Sequence, residues 1–169
     1  MNISLIGMPA SGKTTTAKAI KNMLKDFILI DTDEKIIQNE KRSVNDIFKQ
    51  NGEEYFRKLE TNILEEILKS DNQIISTGGG IVKSDRNIEL LREQSVVIYW
   101  KSDIETLVER AKKNTERPLL NDCDVEERIK NLLNEREKQY EKAHFIIETR
   151  DKTAQEIAKE ITEKIKWKR

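Results

Sequence analysis

The chain has 169 residues, with Lys plus Arg and Asp plus Glu both numbering 31, so no overall field favours nucleic acid or an anionic membrane surface. Its length suits one domain with a substantial core and would cramp two. Charged residues make up 37% of it, many of them Lys or Glu at helical spacing, which reads as solvated helix faces.

In chain order, the opening MNISLIGMPASGK has no basic segment before a short apolar stretch, so it reads as a strand rather than an export signal. Directly after it comes Gly7-Met8-Pro9-Ala10-Ser11-Gly12-Lys13-Thr14, a full match to G-x-x-x-x-G-K-[ST]. The chemistry explains each fixed position. The glycines let backbone N–H groups turn toward phosphate, and the following helix start adds positive potential. Lys13 reaches the β- and γ-phosphates, and Thr14 offers Mg²⁺ a hydroxyl.

Short β-branched runs at residues 3–6, 27–30, 73–76, 96–100 and 145–148 are apolar on both sides, the mark of buried parallel strands. Amphipathic patterns lie between them; in residues 53–69, Tyr55, Phe56, Leu59, Ile63 and Ile67 recur at helical spacing. Such alternation predicts βαβ units, a parallel sheet covered on both faces, and ligands beyond the strand C-termini.

The second strand leads into Asp31-Thr32-Asp33, where two carboxylates two residues apart share a face of a strand. One can serve magnesium and the other a substrate hydroxyl as base; Asp33 as a mere helix cap is an equal reading. Arg57 and Glu60, at i,i+3, read on their own as a surface ion pair. Ser76-Thr77-Gly78-Gly79-Gly80 follows the third strand, where exposed N–H groups can hold a carboxylate or hydroxyl, or simply make a tight turn.

Residues 112–124 include Arg117-Pro118-Leu119-Leu120 and read either as a connecting loop or as a lid that brings Arg117 to the transferring phosphoryl group. The one cysteine, Cys123, cannot form an intramolecular disulfide; a reducing cytoplasm fits, and flanking Asp122 and Asp124 leave it inert. Arg136 and Tyr140 lie one helical turn apart, a coincidence on spacing alone. His144 reads as structural. No apolar run approaches the roughly 20 residues that cross a bilayer, so a soluble protein is expected.

Taken together, the phosphate loop, Asp31-Thr32-Asp33, Phe56-Arg57-x-x-Glu60, Thr77-Gly78-Gly79-Gly80, Arg117-Pro118-Leu119-Leu120 and Arg136-x-x-x-Tyr140 resemble shikimate kinase in order and spacing, over essentially the whole chain. The resemblance implies a P-loop NTPase fold of the adenylate-kinase-like kind: a five-stranded parallel sheet flanked by helices on both faces, a substrate-binding region near 34–60 and a mobile lid near 112–124. It implies ATP-dependent phosphorylation of the shikimate 3-hydroxyl in aromatic amino acid biosynthesis, with ATP as co-substrate, Mg²⁺ as cofactor and no nucleic acid or membrane partner. A cytoplasmic monomer is expected.

By the same resemblance, Asp33, Lys13 and Arg117 are catalytic. Pro9, Ala10, Ser11, Gly12, Lys13, Thr14, Thr15, Arg110 and Arg117 contact ATP, Arg110 near adenine. Asp33, Arg57, Gly78, Gly79, Gly80 and Arg136 bind shikimate, with Glu60 orienting Arg57. Val44, Phe48, Phe56, Pro118 and Leu119 wall the ring. Thr14 directly, and Asp31 through water, hold the metal. Two departures stand out: Ala10 occupies a loop position that is often Gly, and residues 148–152 match the adenine-side loop only loosely. A gluconate or nucleoside monophosphate kinase, or a non-catalytic nucleotide-binding module, would share the phosphate loop. The paired arginines with the triple glycine argue against the former, and retention of Lys13, Thr14, Asp31, Asp33 and Arg117 against the latter.

Overall fold

The computed structural model describes residues 1–113 and 125–166. Five parallel strands form one sheet in the order β2-β3-β1-β4-β5. They are β1 (Asn2–Ile6), β2 (Ile28–Asp31), β3 (Gln73–Ser76), β4 (Ser95–Lys101) and β5 (Phe145–Glu148). Between and after them run α1 (Lys13–Met23), α2 (Thr32–Glu40), α3 (Val44–Ile67), α4 (Asp85–Gln94), α5 (Ile104–Lys113), α6 (Val125–Tyr140) and α7 (Ala154–Lys166).

Side-chain alternation along the strands builds two apolar layers. Ile3 and Leu5 of β1, with Ile98 and Trp100 of β4, pack against Ala17 and Ile20 of α1 and Ile157 and Ile161 of α7. Ile6, Ile75, Val97 and Tyr99 face the other way, onto α2 through α6. Each fully buried Ile or Leu contributes about 1.5–3 kcal/mol. Polar side chains of the sheet pair across it: Ser4 donates to Ser95 at 2.8 Å, and His144 Nδ1 accepts the Val97 N–H at 3.0 Å.

All five strand segments expected from sequence are present, each within a residue or two of its predicted ends, but two are not buried on both sides. β2 and β5 are the sheet's edges, and Ile28 and Ile146 are 62% and 44% exposed. Local apolarity does not tell a central strand from an edge one.

β1 lies mid-sheet, where the order switches from β3 on one side to β4 on the other. The crevice beyond its C-terminus is therefore the ligand position for this topology. α3 is interrupted at Gly52 (φ 81, ψ 176), a left-handed φ that splits it into 44–51 and 53–67. The second piece begins where the helical pattern read from sequence begins.

Candidate active site

The loop between β1 and α1 has the conformation its glycines predict. Gly12 caps α1 at φ 98, and no side chain caps the first turn, so its N–H groups face the crevice. Lys13 is buried beneath the loop, its Nζ donating to the Gly7 and Met8 carbonyls at 2.9 and 2.7 Å and to Ser11 Oγ at 3.3 Å. Ala10 adopts φ 61, left-handed for a residue with a Cβ.

Thr14, at the helix start, donates to Asp31 Oδ2 at 3.2 Å and lies 3.3 Å from the Ser76 hydroxyl. Asp31 also caps α2, its Oδ1 accepting the N–H groups of Asp33 and Glu34 at 3.0 and 3.4 Å. The capping role weighed for Asp33 thus belongs to Asp31. β2 ends there, so Asp33 stands in the first helical turn, not on a strand face. Both carboxylates still line one cavity of about 470 Å³ with Pro9, Ala10, Ser11, Gly12, Lys13, Thr14, Thr15, Gly78, Gly79 and Arg110.

Beyond Gly78 a second polar group gathers. Glu60 is 1% exposed and forms an ion pair with Arg57, which also donates to Glu53 from Nε and Nη2 at 3.1 and 3.0 Å. The surface ion pair expected from sequence is therefore a half-buried one, with Glu60 inside and Arg57 partly exposed: the sheet loop covers this side of α3, which helical spacing could not reveal. Burial pushes the Glu60 carboxyl up to about 7 against the pull of Arg57, with the Asp33 charge adding to the rise. The Arg57 guanidinium lies 5.8 and 5.3 Å from the Phe48 and Phe56 ring centres. A Cβ on Gly80 would meet that guanidinium, so a side chain there would displace Arg57 from this position.

Arg136 and Tyr140 are no coincidence of spacing. Arg136 Nη1 and the Tyr140 hydroxyl both donate to the Gly79 carbonyl, at 3.1 and 2.5 Å, and Tyr140 stacks on Tyr99 with ring centres 5.0 Å apart. Arg136 is 9% exposed, and its Nε is buried with no partner among the described residues. A guanidinium held this way suits a planar anion. The Gly78-Gly79-Gly80 segment makes the tight turn expected of it, with Ile81 and Lys83 N–H groups bonded to the Gly78 and Gly80 carbonyls.

Lys83 escaped sequence reading: it bridges Glu53 at 2.8 Å and Glu135 at 3.3 Å, tying α3 to α6. Lys152, in the loosely matching 148–152 segment, lines the same cavity as Arg110. Lys83 had a signal, three residues past the triple glycine. Arg117, Pro118, Leu119 and Cys123, and the expected lid from 114 onward, lie outside the described residues.

The shikimate kinase family model matches residues 9–166. The chain belongs to the shikimate kinase family. A shikimate kinase from Caldanaerobacter subterraneus subsp. tengcongensis is 41% identical over 160 residues, 95% of this chain and 93% of that one. One from Clostridium botulinum is 44% identical over 151 residues, 86% of each. Among solved structures, the Acinetobacter baumannii shikimate kinase in complex with shikimate superposes with a TM-score of 0.93 at 31% identity, covering 99% of this chain and 94% of that one. The Aquifex aeolicus shikimate kinase gives 0.83 at 32%, covering 99% and 98%. The fold is that of the P-loop kinases, and the protein is a small-molecule kinase with ATP as co-substrate. Among the described residues no helix is long and apolar enough to cross a membrane.

Proposed function

We propose that this enzyme transfers the γ-phosphoryl group of ATP to the 3-hydroxyl of shikimate, giving shikimate 3-phosphate and ADP in the route to aromatic amino acids. The observation that carries the reading is the pair of guanidiniums, Arg57 and Arg136, at the Gly79-Gly80 turn, with Asp33 between them and the phosphate loop.

In this reading Arg57 and Arg136 grip the shikimate carboxylate, with backbone donors from Gly79 and Gly80, while the Gly78 N–H is held by the Thr32 hydroxyl at 3.0 Å. Glu60 holds Arg57 in place, and Phe48 and Phe56 wall the ring. Asp33 orients the reacting hydroxyl and receives its proton. The hydroxyl oxygen bonds to the γ-phosphorus as the β,γ-bridging bond breaks, and ADP departs with that bond's electrons. Pro9 through Thr15 surround the phosphates; Lys13 and Arg117 offset their charge, and Arg110 lies toward adenine.

The donors around Thr14 are hard oxygens, a hydroxyl and a carboxylate 3.2 Å apart, which suits Mg²⁺ that keeps several waters. Thr14 would bind it directly and Asp31 through water; the ion supplies charge neutralisation between β- and γ-phosphates. Residues 34–60 form the substrate-binding region of one domain, in a cytoplasmic monomer. The position of the new phosphate tests the reading: phosphorus–proton coupling in the NMR spectrum of the product must fall on the ring proton at C3, and coupling at another carbon would overturn it.

A further inference from the structure

The phosphate loop is held from behind by a residue that the motif does not contain. Trp100, near the end of β4, is 3% exposed, and its Nε1–H donates to the Ser11 carbonyl at 2.7 Å. Arg110 Nη1 donates to the same oxygen, at 2.5 Å. Those two donors fill its two lone pairs. Ser102, 3.4 Å away, bonds more closely to Thr149, at 2.9 Å.

The Ser11 carbonyl and the Gly12 N–H belong to one planar trans peptide and point in opposite directions. Tying the oxygen to β4 and α5 therefore aims the Gly12 N–H into the crevice. Donors on the oxygen also polarise that N–H, strengthening it toward an anion. The two partners are not equivalent. Arg110 is exposed, whereas Trp100 is buried in the apolar layer beside Ile98 and Ile157. The same residue backs the loop's start: a Cβ on Gly7 would lie 2.6 Å from the Trp100 carbonyl oxygen.

We propose that Trp100 is a positioning residue for the nucleotide, orienting the Ser11–Gly12 peptide for phosphate binding even when Arg110 turns to the nucleotide. This rests on the kinase reading above. The test is calorimetric titration of the wild-type and Trp100→Phe chains with MgADP and, separately, with shikimate. Losing one neutral hydrogen bond should weaken ADP binding about fivefold. Shikimate affinity should stay within twofold, and the Gly12 amide proton should move upfield in the nitrogen-correlated NMR spectrum.

ADP affinity within twofold of wild type, or equal weakening of both ligands, overturns the role of Trp100 alone. A wild-type chain that does not bind ADP overturns the kinase reading and this role with it. Should Trp100→Phe not fold, Trp167→Phe leaves Trp100 as the only tryptophan of the two. Its indole N–H resonance should then exchange slowly with solvent and shift on ADP addition but not on shikimate addition; an indole unmoved by ADP overturns the proposal.

Discussion

The Glu60 carboxylate is sealed against the Arg57 guanidinium one turn away on α3, with Glu60 1% exposed and its carboxyl pushed up to about 7 by burial. A folded-state value above the ordinary one of 4.5 means that the native state binds the proton more tightly than the unfolded chain does. Glu60 therefore subtracts stability as pH rises from about 4.5 to about 7, on the order of 3 kcal/mol once fully ionised. Chemical denaturation at several pH values between 5 and 8 checks this. Glu60→Gln should lose that downward slope, and identical slopes in the two proteins would remove Glu60 as its source.

Asp33 lines the cavity beside Gly78, and Asp31 already caps the helix. Asp33→Asn should therefore leave the fold intact and reduce kcat by about 10² to 10⁴, the range of general acid–base assistance. MgADP affinity should remain within about twofold. Turnover close to wild type in a steady-state assay would take Asp33 out of the chemistry.

Arg136 holds Gly79 and keeps a buried Nε without a partner among the described residues. Arg136→Ala should weaken shikimate binding by about one to two orders of magnitude, as loss of a charge-assisted anion contact does, with ATP binding nearly unchanged. Calorimetry with each ligand separates the outcomes. Equal loss for both would contradict a carboxylate clamp.

Ala10 sits at φ 61, where a residue with a Cβ costs roughly 1–2 kcal/mol over a relaxed one. Part of that returns as the greater chain entropy of glycine when unfolded. Ala10→Gly should thus stabilise the chain by about 0.5–1 kcal/mol in urea denaturation. A destabilised variant would show that the methyl group makes compensating contacts.

Legibility in the sequence followed the range of the interaction. The phosphate loop and the five strands are local patterns, with glycine spacing and β-branched runs fixed within a few residues, and the structure contains them. Gly52 was equally local: a left-handed break just before Glu53 sets where the amphipathic pattern starts. What helical spacing could not convey was burial. Arg57-x-x-Glu60 on a bare helix is an exposed pair, and only the loop after β3, packed over α3, turns it into a half-buried one. Arg136 and Tyr140 likewise gain meaning through Gly79, some sixty residues away in the chain. The division of labour in Asp31-Thr32-Asp33 depended on where β2 stops, a matter of one residue. Trp100 carried no motif at all, because its role depends on the Ser11 carbonyl of the loop that follows the neighbouring strand β1.

The central claim is that the acceptor is a hydroxyl on a small carboxylic acid gripped by two arginines. Its most direct test is MgATP-dependent ADP release, measured in a coupled assay with shikimate, quinate, gluconate and nucleoside monophosphates as acceptors. Shikimate should give turnover far above the rest; no shikimate-dependent ADP release, or faster release with gluconate or a nucleotide, would contradict the account.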